Sequence, residues 1–100
     1  IVFALANPVP EIMPDIAMKA GVAVIATGRS DFPNQLNNSL IFPGIFKGVL
    51  DNDIKQFDVT MFTRAALALS SHVKNPTRDM ILPTMFDKEL VNVIAKSVME

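Results

Sequence analysis

The sequence predicts an α/β fold: one portion of a parallel sheet with flanking helices, ending in helices. Three observations predict it. Two continuous apolar runs, residues 1–6 and 22–26, flank a stretch with helical spacing; each run gives way at once to turn-forming residues; and the later chain carries apolar residues at helical period. Parallel strands keep their ligands in the crevice beyond their carboxyl ends, so the polar residues that follow each run are the candidates for chemistry.

The first run, Ile1-Val-Phe-Ala-Leu-Ala6, is stopped sharply by Asn7-Pro8 and Pro10 and reads as a strand covered on both faces. It opens inside an apolar strand with no initiating Met, so the chain is expected to be an incomplete part of a longer one. From Glu11 to Lys19, Ile12, Ile16 and Ala20 fall at helical spacing, and Gly21 is placed to end the helix. Val22-Ala-Val-Ile-Ala26 is then a second buried strand, which completes a βαβ unit with an expected right-handed crossover.

Residues 27–35 turn to Gly, Ser, Asp, Pro and Asn, a loop by turn chemistry. Asn37 or Asn38 is placed to cap the helix that follows, with an apolar body from Leu40 to about Leu50 and Pro43 and Gly44 in its first turn or at a kink. A further helix starts near Thr60 and is expected to bury Phe62, Ala65, Ala66, Leu69 and Val73. The last uses Asp87 as a cap, with Leu90, Val91, Ile94 and Val98 inward. Repeats, low-complexity tracts and a linker are absent, so residues 1–100 are expected to form one compact unit.

Composition narrows the partners. Half of the 100 residues are hydrophobic, ample for a core, while a net charge of -1 with nine scattered Lys and Arg gives no footprint for nucleic acid or an anionic membrane. No run approaches the length of a membrane helix. Zero cysteines exclude a disulfide framework, a Cys-rich zinc site and cysteine catalysis, and fit a reducing, cytoplasmic setting.

Among the residues that follow the strands, Asn7, Asn37 and Asn38 form the strongest candidate set. A primary amide offers two donors and an acceptor without charge, so it can hold a carboxylate, an alcohol or a carboxamide while leaving proton transfer to other groups. The bland alternative is that Asn7 serves an Asn-Pro turn and Asn37 caps a helix. Gly28-Arg-Ser-Asp31 could approach a phosphate or carboxylate, or could be a surface loop closed by an Arg–Asp pair. His72, the only histidine, reads as structural, near a helix end, and the six Met and seven Phe read as core packing. A G-x-G-x-x-G loop, a tyrosine and a metal-spaced His/Asp/Glu cluster are all missing, so no catalytic residue and no metal ligand is assigned within the chain.

Three ordered motifs, Phe3-Ala-Leu-Ala-Asn-Pro-Val-Pro-Glu11, Ala26-Thr-Gly-Arg-Ser-Asp-Phe-Pro-Asn-Gln-Leu-Asn-Asn38 and Phe42-Pro-Gly-Ile-Phe-Lys-Gly-Val-Leu-Asp51, closely resemble the NAD(P)-binding region of malic enzymes, the bacterial and archaeal branch above all. The resemblance implies that residues 1–100 are the C-terminal portion of a Rossmann-like NAD(P)-binding domain. It implies an enzyme that oxidises L-malate with NAD or NADP and decarboxylates the product to pyruvate and CO2 with Mg²⁺ or Mn²⁺, in a homo-oligomer. By position, Asn7 matches the family residue that meets malate beside the nicotinamide, Asn37 the first of the Asn pair that binds malate, and Asn38 its supporting neighbour. Leu36 is larger than the residue often found there. The acid–base Lys and Tyr and the metal carboxylates of the family belong to segments before residue 1, and the remainder of the enzyme is an expected partner of this chain. The alternative, from another class, is a non-catalytic Rossmann-like interaction module.

Overall fold

β1 (Val2–Ala4) and β2 (Ile25–Thr27) lie side by side in parallel, with Val2 opposite Ile25, Phe3 opposite Ala26 and Ala4 opposite Thr27. Between them in sequence runs α1 (Pro14–Lys19), which packs on β2. Pro14 sits in its first turn, where a missing N–H costs nothing, and Gly21 at φ 97° takes the left-handed backbone that ends it. The strand–helix–strand order is the expected one, with shorter strands. Ala4, Ala17 and Ile25 form the small core here, supported by Val2, Ile12 and Val22.

A 3-10 turn over Asn38–Leu40 precedes α2 (Phe42–Asp51), followed by α3 (Val59–His72) and α4 (Leu90–Met99). α4 packs against both α2 and α3. Glycine makes the first of these contacts possible: a Cβ on Gly44 would stand 2.4 Å from the Cβ of Ile94, and one on Gly48 would stand 2.6 Å from the carbonyl oxygen of Ala95. Arg64 of α3 donates to the carbonyls of Ser97 and Val98 of α4 at 3.0 Å, tying the two helices together.

The computed structural model describes residues 1–99. Where the sequence predicts one compact unit, the contacts gather into two, Ile1–Asn37 with Asn75–Leu82, and Asn38–Lys74 with residues 83–99. No helix among the described residues is long and apolar enough to cross a membrane.

Three other expectations are corrected. The described residues cover only one face of β1, leaving Phe3 and Leu5 each 53 % exposed. α3 buries Ala65 as expected but takes Met61 inward in place of Phe62 and leaves Ala66 exposed, because small and flexible side chains let it approach α4 closely; on α4, Val91 stays partly exposed while Ala95 goes inward. The phenylalanines do not form the core: Phe42, Phe46, Phe57 and Phe62 make a chain of ring contacts, each step 6.0 Å between centroids, and all four remain substantially exposed. Among the methionines only Met61 is buried.

Candidate functional site at the strand ends

The carboxyl ends of β1 and β2 open into two loops that meet at Asn7 and Gly28. Asn7, three residues beyond β1, lays its side chain against Gly28, the residue that follows β2: a Cβ built on Gly28 would come within 2.8 Å of Asn7 Oδ1 and 3.3 Å of Nδ2. The absence of a side chain on Gly28 leaves room for the Asn7 amide to lie this close, and a larger residue there would shift the amide. The Asn7–Pro8 peptide is cis, and Asn7 itself is exposed. Just behind it, the Ala6 N–H donates to Glu11 Oε1 at 3.0 Å, and this backbone hydrogen bond holds the Glu11 carboxyl below its ordinary range.

The second loop is closed on itself. Thr27 is buried, its hydroxyl oxygen accepting the Arg29 N–H at 3.2 Å and its carbonyl accepting the Leu36 N–H at 2.7 Å, so the chain leaves β2 and returns beside it at Gln35. Gln35 Nε2 donates back to the Gly28 carbonyl at 3.3 Å. Arg29 makes a two-point pair with Asp31, at 2.9 and 2.8 Å, and its guanidinium lies 5.5 Å over the Phe32 ring. Hydrogen bonding by Arg29 holds the Asp31 carboxyl below its ordinary range. The Arg29–Asp31 pair makes this the closed surface loop that the sequence offered as one alternative.

Asn37 and Asn38 follow directly. Asn37 is exposed, one residue beyond the Leu36–Thr27 hydrogen bond, and belongs with Asn7 to the strand-bearing unit. Asn38 opens the 3-10 turn, its carbonyl accepting from the Ile41 N–H at 3.1 Å, and belongs to the helical unit. Neither amide occupies the N-cap of α2, which falls on Ile41. The structure thus brings Asn7 onto Gly28, and starts Asn37 from the same strand end.

Asn34 is the residue that sequence reasoning passes over. It is only 7 % exposed, holds a left-handed φ of 59°, and uses its amide fully: Nδ2 donates to the Ile25 carbonyl at 3.2 Å and the Arg78 carbonyl at 2.7 Å, while Oδ1 accepts the Ile81 N–H at 2.9 Å. The signal available in the sequence was an Asn in a Pro-Asn turn, a residue type that tolerates that backbone. His72 is structural as predicted, bound through Nε2 to Asp87 Oδ2 at 2.8 Å.

An exposed neutral amide seated on a glycine at the ends of parallel strands fits the polar head of a nucleotide cofactor, which needs donors and acceptors together and close backbone approach. A divalent cation is not matched in this way. No group of three or more His, Cys, Asp or Glu among the described residues could hold one.

Comparison with known proteins agrees with this geometry. The family model described as "Malic enzyme, NAD binding domain" matches residues 1–100. The chain is 48% identical over 100 residues to a bifunctional malic/malolactic enzyme of Bacillus subtilis, covering 98% of this chain and 24% of that protein. It is 45% identical to an NAD-dependent malic enzyme of Geobacillus stearothermophilus, covering 100% of this chain and 21% of that one. The crystal structure of a malic enzyme from Pyrococcus horikoshii superposes with a TM-score of 0.95 at 48% identity, over 98% of this chain and 23% of that one. The chain thus spans about a quarter to a fifth of the length of these relatives.

Proposed function

The chain belongs to the malic enzyme family, in its NAD-binding domain, and from that premise we propose that it supplies substrate and cofactor contacts for the oxidative decarboxylation of L-malate to pyruvate and CO2. The observation that carries the proposal is the Asn7 side chain seated on Gly28, at the carboxyl ends of two parallel strands. NAD or NADP, when bound, is the hydride acceptor for C2 of malate. The residues of this chain act by orientation. Asn7 presents donors and an acceptor to the nicotinamide carboxamide and the substrate beside it, and Asn37 donates to a malate carboxylate, with Asn38 in support. Being neutral, these amides fix a dianionic substrate without taking part in its proton transfers and without titrating in any working pH range. A divalent cation, Mg²⁺ or Mn²⁺, and the acid–base pair belong in this proposal to other parts of the enzyme. A non-catalytic interaction module lacks comparable support, since the relatives above are each named as malic enzymes.

The test is Asn37→Ala in the enzyme that carries this chain. Loss of a hydrogen bond to a charged group costs about 1.5–3 kcal/mol, which lowers malate kcat/KM about ten- to hundred-fold while leaving the KM for NAD(P) nearly unchanged. Unchanged malate kinetics together with a lowered Tm would remove Asn37 from the site and make it a purely structural residue.

A further inference from the structure

Beyond the residues that meet substrate, we propose that Asn34 is a positioning residue for Asn37, an inference that rests on reading Asn37 as a malate ligand. In a parallel pair, successive carbonyls of one strand point to opposite edges. The Val24 carbonyl faces β1, where it accepts the Val2 N–H at 2.8 Å, so the carbonyls of Ile25 and Thr27 face the other edge of β2. Both are taken by the returning loop, Ile25 O by the Asn34 side chain and Thr27 O by the Leu36 N–H. The backbone over residues 34–36 is thereby clamped to β2 at two points, and Asn37 is the next residue out.

The same amide reaches in the other direction. Through Arg78 O and Ile81 N it ties a two-bond turn, in which Thr77 and Met80 exchange backbone hydrogen bonds at 3.2 and 3.1 Å, to the free edge of the sheet. One short side chain so joins β2, the substrate loop and the 77–81 turn. Asparagine suits this place on two counts: it tolerates a left-handed backbone, and it carries two donors and an acceptor on a single-carbon stem. Aspartate keeps the acceptor for Ile81 but sets a carboxylate against two carbonyls; glycine keeps the backbone but has no amide. A ligand displaced by about 1 Å can lose about a hundred-fold in rate, so the residue that fixes the loop backbone is felt at the substrate without touching it.

The experiment compares Asn34→Gly and Asn34→Asp with Asn37→Ala in the intact enzyme, assayed well below each Tm. Either Asn34 variant that folds should lower malate kcat/KM about ten-fold or more and leave the NAD(P) KM within about two-fold. Wild-type Leu36 and Ile81 amides should also exchange hydrogen more slowly when malate is bound, a measurement that needs no variant. Wild-type malate kinetics in a folded Asn34 variant, or malate-independent exchange at both amides, overturns the inference; a fall in Tm alone assigns Asn34 a purely structural role. If Asn37→Ala impairs malate kinetics and Asn34→Gly does not, only the positioning role fails. If Asn37→Ala is itself without effect, the ligand assignment fails and the inference with it.

Discussion

In the strand-bearing unit, loops are held by side chains that reach for backbone, whereas in the helical unit α2 and α4 meet where two glycines lack side chains. Asn34, Gln35, Thr27 and Glu11 each bond main-chain groups in loops after the strands. Gly44 and Gly48 instead let α2 approach α4 until no Cβ fits between them. The two designs fail differently. A polar clamp fixes direction and can be weakened with little change of volume, which suits loops that must aim an amide. Close helix packing is intolerant of volume and indifferent to direction, which suits a scaffold.

The most forceful way to break this comparison is Gly44→Ala. The new Cβ would stand 2.4 Å from Ile94 Cβ, 2.7 Å from its Cγ2 and 3.1 Å from the Val91 carbonyl oxygen, and Ile94 is fully buried with no room to retreat. Overpacking costs about 1–3 kcal/mol, set against at most about 1 kcal/mol that alanine gains over glycine inside a helix. The expected outcome is a net loss of unfolding free energy, read by denaturant titration. A variant as stable as the parent would mean that α2 and α4 do not meet at glycine, and the contrast between the units would go with it.

A polar clamp inside the helical unit gives a smaller effect and sharpens the contrast. Asp58 caps α3, its Oδ1 accepting the Met61 N–H at 2.6 Å. Asp58→Ala should cost about 1 kcal/mol, and Asp58→Asn or Asp58→Ser should recover most of it, since each still offers a side-chain oxygen. Equal stability of the alanine and serine variants would show that the cap is not used.

What the sequence made legible follows the same division. The βαβ order, the helix end at Gly21 and the structural role of His72 depend on local turn chemistry and short-range periodicity, and the chain states those directly. Asn34 was illegible because its partners Arg78 and Ile81 lie 44 and 47 positions away, and because nothing among the three asparagines of residues 27–38 marks the one that turns inward. Helical period placed a stripe on α3 but could not choose between Phe62 and Met61 for the buried side, since the choice depends on how near α4 comes. The exposed phenylalanines of α2 and α3 were misread for that reason: large apolar residues at helical spacing look like core until small ones are seen to occupy it. Asn7 and Asn37 stood out as amides placed directly after the strands, but their proposed roles came from resemblance to a family, since residue chemistry alone left each of them open to a turn or a cap.

Acid supplies the smallest and last test, because it acts on a charged pair and leaves the glycine packing alone. In the helical unit, Asp87 receives hydrogen bonds from His72 Nε2 at 2.8 Å and the Glu89 N–H at 3.0 Å. The His72 bond foremost holds its carboxyl below the ordinary value of 3.8. A carboxyl depressed in the folded state stabilises it fully above its unfolded value, and the contribution is lost as pH falls through the lower, folded value. Asp87→Asn should therefore be less stable than the parent at about pH 5 and above, and the gap should narrow from about pH 4 downward as the parent loses its charge. Asp31 and Glu11 in the strand-bearing unit are depressed as well, so the parent will lose stability in acid for more than one reason. The difference between parent and Asp87→Asn cancels those shared losses and isolates the Asp87 carboxylate with its His72 and Glu89 hydrogen bonds. Unfolding free energies measured across that window decide the matter, and a gap that stays constant with pH would show that the Asp87 charge does not serve the fold.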